Sequence, residues 1–195
     1  MQKFQTGTQL MDDLRVNRKV LALLAACGIL NPTPVGAALV YDPAEIERLQ
    51  KARANPVEEN APPAWIVRLS TPGVEPDDGH PLGWLEERDD NGLVIETQRN
   101  IDAARMYWRI VRPKDAEGDA LVAVVGPLVV GVWQIAEGIF HDKYRRSEFI
   151  VKQPTEEQRL AYMGSEPGVG RWLPLRPGPT VLRWPLASST TSGGK

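Results

Sequence analysis

At 195 residues the chain has room for one medium domain or two small ones, each with a modest core. Lys plus Arg total 23 against 25 for Asp plus Glu, a formal charge of -2, so whole-molecule basicity gives no case for nucleic acid or an anionic membrane surface. Any such binding has to be local. One cysteine, Cys27, and two histidines, His80 and His141, exclude an internal disulfide and a Cys/His metal cage. No apolar run of ~18 residues and no basic-then-apolar leader occur, so a soluble cytoplasmic protein without a membrane partner is expected.

Composition shifts along the chain. All six tryptophans lie beyond residue 64, whereas residues 1–55 are rich in Leu and Ala and carry a formal +2 against -4 for the remainder. Between them, residues 54–63 hold Pro56, Pro62 and Pro63 with Glu58 and Glu59, which predicts a semi-extended linker with almost nothing to bury. The expected organisation is α+β: a small helical domain over 1–55, a linker over 56–63, a β-rich domain over 64–186 and a disordered polar tail over 187–195.

In the first part, a helix is predicted over 8–14, capped by Thr8, with Leu10, Met11 and Leu14 on one face. Arg15-Val16-Asn17 makes a turn, and Asn17 caps a second helix over 18–26 that Gly28 closes after Cys27. Val20, Leu23 and Leu24 form its buried stripe, which leaves Arg18 and Lys19 in an exposed first turn; Cys27 reads as a small buried residue. Two short extended runs around Gly36-Ala37 predict a hairpin. Asp42 then caps a third helix with Pro43 first and Glu45 at the third position, and Ile46 and Leu49 return to the core.

The order of these parts from Thr6 to Lys51 resembles the winged helix-turn-helix of the MerR and phage-excisionase group. The turn Leu14-Arg15-Val16-Asn17-Arg18, the Gly28-Ile29-Leu30 element and the helix start Tyr41-Asp42-Pro43-Ala44-Glu45-Ile46 carry the resemblance. It implies a DNA-binding protein, either a transcriptional regulator or an excisionase-like accessory factor. Arg15, Asn17, Arg18 and Lys19 would meet double-stranded DNA, with the wing at Gly36 on its backbone. In this chain Pro56, Pro62 and Pro63 stop the last helix, so the long dimerising helix of MerR regulators is not expected, although a second copy or a protein partner remains open. With ~4 phosphate contacts, binding would be weak and steeply salt-dependent. The rival reading is an adaptor or structural protein that uses both parts for protein contacts.

In the second part, strands are predicted over 64–69, 93–96, 107–111, 149–151, 172–173 and 181–184, with a short helix over 101–106 capped by Asn100. Two β-branched runs, 120–125 and 128–135, joined at Gly126-Pro127, predict a central hairpin buried on both faces. Thr155 with Gln158 forms a capping box for a helix that ends before Gly164. A compact barrel or a curled sheet follows, and the element order faintly resembles PUA-like domains (the PUA, ASCH and EVE relatives); that resemblance implies reading of RNA or a modified base by this part as well.

Chemistry-bearing groups are few. Trp84, Trp108 and Trp133 either frame a pocket for a flat ligand or fill the core, and Lys143, Tyr144, Arg145 and Arg146 form a basic cluster with a stacking ring. Asp77, Asp78 and His80, or His141 with Asp142, are incomplete as metal or proton-transfer sites. No phosphate loop or nucleophile elbow occurs, so neither an enzyme nor a cofactor or metal is expected.

Overall fold

The computed structural model describes residues 4–77, 79–106, 108–110, 112–166, 168, 170–175 and 178–185. A two-residue strand, β1 (Gln5–Thr6), leads directly into α1 (Gly7–Leu14). The cap is Thr6 rather than Thr8. Thr6 Oγ1 accepts the Gln9 N–H while Gln9 Oε1 accepts the Thr6 N–H at 2.9 Å, a reciprocal arrangement that Thr8 has no Glu or Gln three residues on to complete. Arg15, at φ 49, ends α1, and Asn17 Oδ1 accepts the Val20 N–H at 3.0 Å to open α2 (Arg18–Ala26). The expected hairpin forms as β2 (Thr33–Val35) and β3 (Ala38–Tyr41), turning at Gly36 with φ +61, and β1 adds to its other side in the order β1-β3-β2. Asp42 Oδ1 takes the Ala44 N–H at 2.7 Å and starts α3 (Pro43–Ala54). Leu10, Leu14, Leu21, Leu24, Ile46 and Leu49 are buried together between the three helices.

The second part follows as β4 (Ala64–Arg68), two small hairpins β5 (Gly73–Val74) with β6 (Pro81–Leu82) and β7 (Glu87–Arg88) with β8 (Val94–Ile95), and α4 (Gln98–Arg105). Then come β9 (Ala120–Val125), β10 (Leu128–His141), β11 (Arg146–Lys152), α5 (Glu156–Met163) and β12 (Val181–Trp184). The main sheet has the order β11-β10-β9-β4-β12, antiparallel except for the parallel pair β4 and β9. Every residue of β9 is buried, and alternation sorts them onto two faces. Ala120, Val122 and Val124 pack with Tyr162 of α5, while Leu121, Ala123 and Val125 join the cluster that also contains the helical core of residues 10–49.

Several expectations change. Of the two forms expected for the β-rich part, the sheet is the open one and not a closed barrel: its edges, β11 and β12, are not paired to each other. It is nevertheless strongly curled. Trp65 on β4 and Phe149 on β11 have ring centroids 6.4 Å apart. Three strand spacings in a flat sheet would separate those strands by ~14 Å, so the side chains meet across a concave face. The stretch at 93–96 became β8, outside the main sheet, because Asp89 binds the Asn91 and Leu93 N–H groups and closes a local turn. Trp172 makes only single bridges, and of the 107–111 stretch Trp108 alone pairs, with Ser147; Tyr107 and Val111 lie outside the described residues. Thr97, not Asn100, caps α4, and Asn100 is buried with its amide bonded to both backbone groups of Leu85, at 3.1 Å and 2.7 Å.

The linker is a further correction. Val57 and Ala61 are buried, the Val57 N–H donates to the Trp172 carbonyl at 2.8 Å, and the Tyr162 hydroxyl donates to the Pro62 carbonyl. The segment is therefore packed onto the β-rich part rather than left as a free tether. The tail at 187–195 lies outside the described residues. No helix among the described residues is long and apolar enough to cross a membrane.

Candidate functional site

On α2 the turn of the helix puts Leu21 and Leu24 inward and leaves Arg18, Lys19, Ala22 and Ala26 exposed, with Arg15 exposed just before it. Among the described residues no hydrogen bond or ion pair engages the Arg18 or Lys19 head groups. Both are hydrated cations at a helix start, ready to exchange water for another partner. Asn17 sits beside them; its Oδ1 accepts the cap hydrogen bond, and its amide NH2 has no partner among the described residues and can donate to an outside group. Arg15 is held in the left-handed region by bonds from its N–H to Asp12 and Met11 carbonyls, a conformation rare for a side-chain-bearing residue.

The hairpin lies open, with nothing within 4 Å of where a Cβ would stand on Gly36. It contains no charged residue between Thr33 and Tyr41, and Val35 and Leu39 are 58% and 50% exposed. Phe4, ahead of β1, is 64% exposed.

The flank and far end of α2 are anchored to the β-rich part. A Cβ on Gly126, in the β9–β10 turn, would come within 3.0 Å of Val20 Cγ1, so this turn needs glycine both for its positive φ of +59 and for contact with the helix. At the other end the Cys27 thiol donates to the Ser70 carbonyl at 3.4 Å, and the Glu86 N–H donates to the Cys27 carbonyl at 2.8 Å. Arg48 of α3 closes the arrangement by binding both oxygens of Glu86, at 2.9 Å and 3.0 Å, and the Ile29 carbonyl at 2.7 Å.

Burial pushes the Cys27 thiol up from 9.0 to about 11. Two results follow. At pH 8 the native thiol resists a disulfide reagent that titrates it at once in guanidinium, as a thiol-release assay reads directly. Because the unfolded chain loses this proton first, the associated stability is fully present below pH 9 and declines as pH rises from 9 toward about 11, which urea midpoints across that range will report.

The structure divides the aromatic and basic candidates. Trp84 and Trp133 are core residues, each 2% exposed, and the Trp133 indole N–H donates to Glu96 at 2.8 Å. Trp108 differs: it lines a cavity of about 520 Å³ at one end of the curled sheet, together with Tyr144 of the β10–β11 turn and Arg146, the first residue of β11. Lys143 stands outside, its Nζ 5.0 Å from the centroid of the Tyr144 ring, and Arg145 occupies the left-handed turn position at φ 50. Sequence reasoning missed Arg68 and Glu75, which also border this cavity, because they carry no motif and come from separate loops and strand ends.

His80 and Asp77 line the same cavity, Asp78 lies outside the described residues, and His141 Nε2 is 3.0 Å from Glu148 on the paired strand. Among the described residues no group of three or more His, Cys, Asp or Glu is arranged to hold a metal ion. Neither a family model, nor a curated protein, nor a solved structure matches this chain.

Proposed function

We propose that residues 4–54 act as a winged helix-turn-helix that binds duplex DNA, in a transcriptional regulator or an excisionase-like accessory factor. The observation that carries the reading is the pair of unpaired cations, Arg18 and Lys19, on the first exposed turn of a helix flanked by an open three-stranded hairpin unit. A helix of this diameter fits a major groove, and its Ala22 and Ala26 are small enough to let the backbone approach the base edges. The β-rich part braces the helix from behind through Val20, Cys27 and Glu86 and leaves the cationic turn facing water.

One feature favours a second reading, protein contact: the uncharged hairpin with exposed Val35 and Leu39. A fluorescence-polarisation titration of a labelled random duplex of about 20 base pairs at low salt separates the two. DNA binding predicts a saturable rise that the Arg18→Ala/Lys19→Ala variant weakens at least tenfold. Undiminished binding by that variant refutes the site, and no binding by the parent chain leaves protein contact as the better account.

A further inference from the structure

We infer that the cavity bordered by Arg68, Glu75, His80, Trp108, Tyr144 and Arg146 is a binding site for a flat aromatic small molecule that carries one carboxylate or phosphate. Its volume, about 520 Å³, lies within the usual range for small-molecule sites, ~300–1,000 Å³. Six separate stretches build it: the end of β4, the β5–β6 hairpin, the end of α4, Trp108, the β10–β11 turn with the start of β11, and Thr180 just ahead of β12. The site is independent of the DNA-binding face on α2.

Two observations select the ligand. The first concerns the rings. The Trp108 indole N–H donates to the Ala104 carbonyl at 2.6 Å, which fixes the ring at the wall, and Tyr144 stands at the rim. A flat ligand can lie against such a preset face at little ordering cost. Apolar Leu69 and Ala103 line the same space and suit the body of a ring.

The second concerns charge. Glu148 shares a strand face with Arg146, two residues on, and would be its natural partner. It is already taken: Arg105 contacts one of its oxygens at 2.5 Å and His141 the other at 3.0 Å. Among the described residues no hydrogen bond or ion pair engages the Arg146 guanidinium, which therefore faces the cavity as an uncompensated fork donor suited to a carboxylate or phosphate. The carboxylates of Glu75 and Asp77 on the loop wall oppose a second negative charge and accept N–H donors, so the ligand carries its anion at one end and a donor at the other.

The test is calorimetric titration of the full chain with two anionic probes of this shape, indole-3-acetate and guanosine 5′-monophosphate, which distinguish a carboxylate from a nucleotide phosphate. Indole, lacking the anion, and tryptamine, with the charge reversed, serve as comparisons. At least one anionic probe should bind with a Kd below about 1 mM, at least tenfold tighter than either comparison. Arg146→Gln should weaken it at least tenfold with an unchanged melting temperature, and Trp108→Leu should remove it; the Arg146 variant keeps the test decisive if Trp108→Leu is poorly folded. Arg18→Ala/Lys19→Ala should leave it untouched, so failure here and failure of DNA binding are separately visible. The inference is overturned if neither probe binds at about 1 mM, if indole or tryptamine binds equally well, or if Arg146→Gln changes nothing.

Discussion

Gly83→Ala is expected to leave the chain largely unfolded or to lower its melting temperature by ~10 °C or more. Gly83 has φ +66, and an added Cβ would stand 2.0 Å from the Thr71 carbonyl oxygen, 2.5 Å from its carbon and 2.6 Å from the Ser70 oxygen. All three are backbone atoms, so no rotamer change relieves the overlap, and the left-handed conformation adds its own cost to a side chain. The displaced Ser70 carbonyl also receives the Trp84 N–H at 3.1 Å and the Cys27 thiol, so the strain passes to the end of α2. The expected penalty exceeds about 4 kcal/mol, the range reserved for backbone or core disruption. An unchanged thermal midpoint would show that this crossing is not as tight as described.

Glu86→Gln is expected to cost about 3–5 kcal/mol. The Glu86 side chain is 4% exposed and pairs with both Arg48, 13% exposed, and Arg88, 31% exposed, so neutralising it leaves the desolvated Arg48 guanidinium, and beside it Arg88, with an amide in place of their shared counter-ion. The exposed pair Arg159 with Glu156, at 40% and 69%, is the internal control, for which Glu156→Gln should barely move the midpoint. Urea midpoints of the two variants measured side by side check the ordering. Equal losses would mean that Glu86 and Arg48 are solvated in solution. Replacing Arg48 and Glu86 together by leucine should recover part of the loss, since the cost lies in the stranded Arg48 charge, while Arg88, 31% exposed, can turn its guanidinium to water.

What could be read from the sequence was local. Asn17, Asp42 and the pair Thr155 with Gln158 fixed three helix starts because a cap acts within three residues. The β9–β10 hairpin was equally plain, since its two β-branched runs face each other across Gly126-Pro127. Where two caps competed, the third residue decided: Gln9 completes a box with Thr6, and Thr97 leaves Asn100 free for Leu85. The parts that could not be read are non-local. Nothing near Ala64 announces that β4 lies parallel to β9, and nothing near Val57 announces the Trp172 carbonyl. Arg48 and Glu86 stand 38 positions apart. The cavity is the extreme case, because its two arginines and two rings come from elements that only the curl of the sheet draws together.

The three helices, the hairpin and the brace behind α2 give the proposed DNA contact a rigid platform, and the contact itself is electrostatic. Its most direct measure is the salt dependence of the duplex titration, the slope of log affinity against log salt concentration, for the parent chain and for Arg18→Ala/Lys19→Ala. Each phosphate contact contributes a slope of about -0.9, so the parent chain should lie near -3 to -4 and the variant should be shallower by about 1.8. A slope that is the same in both proteins would contradict the account, because it would place the cations that hold DNA somewhere other than the first turn of α2.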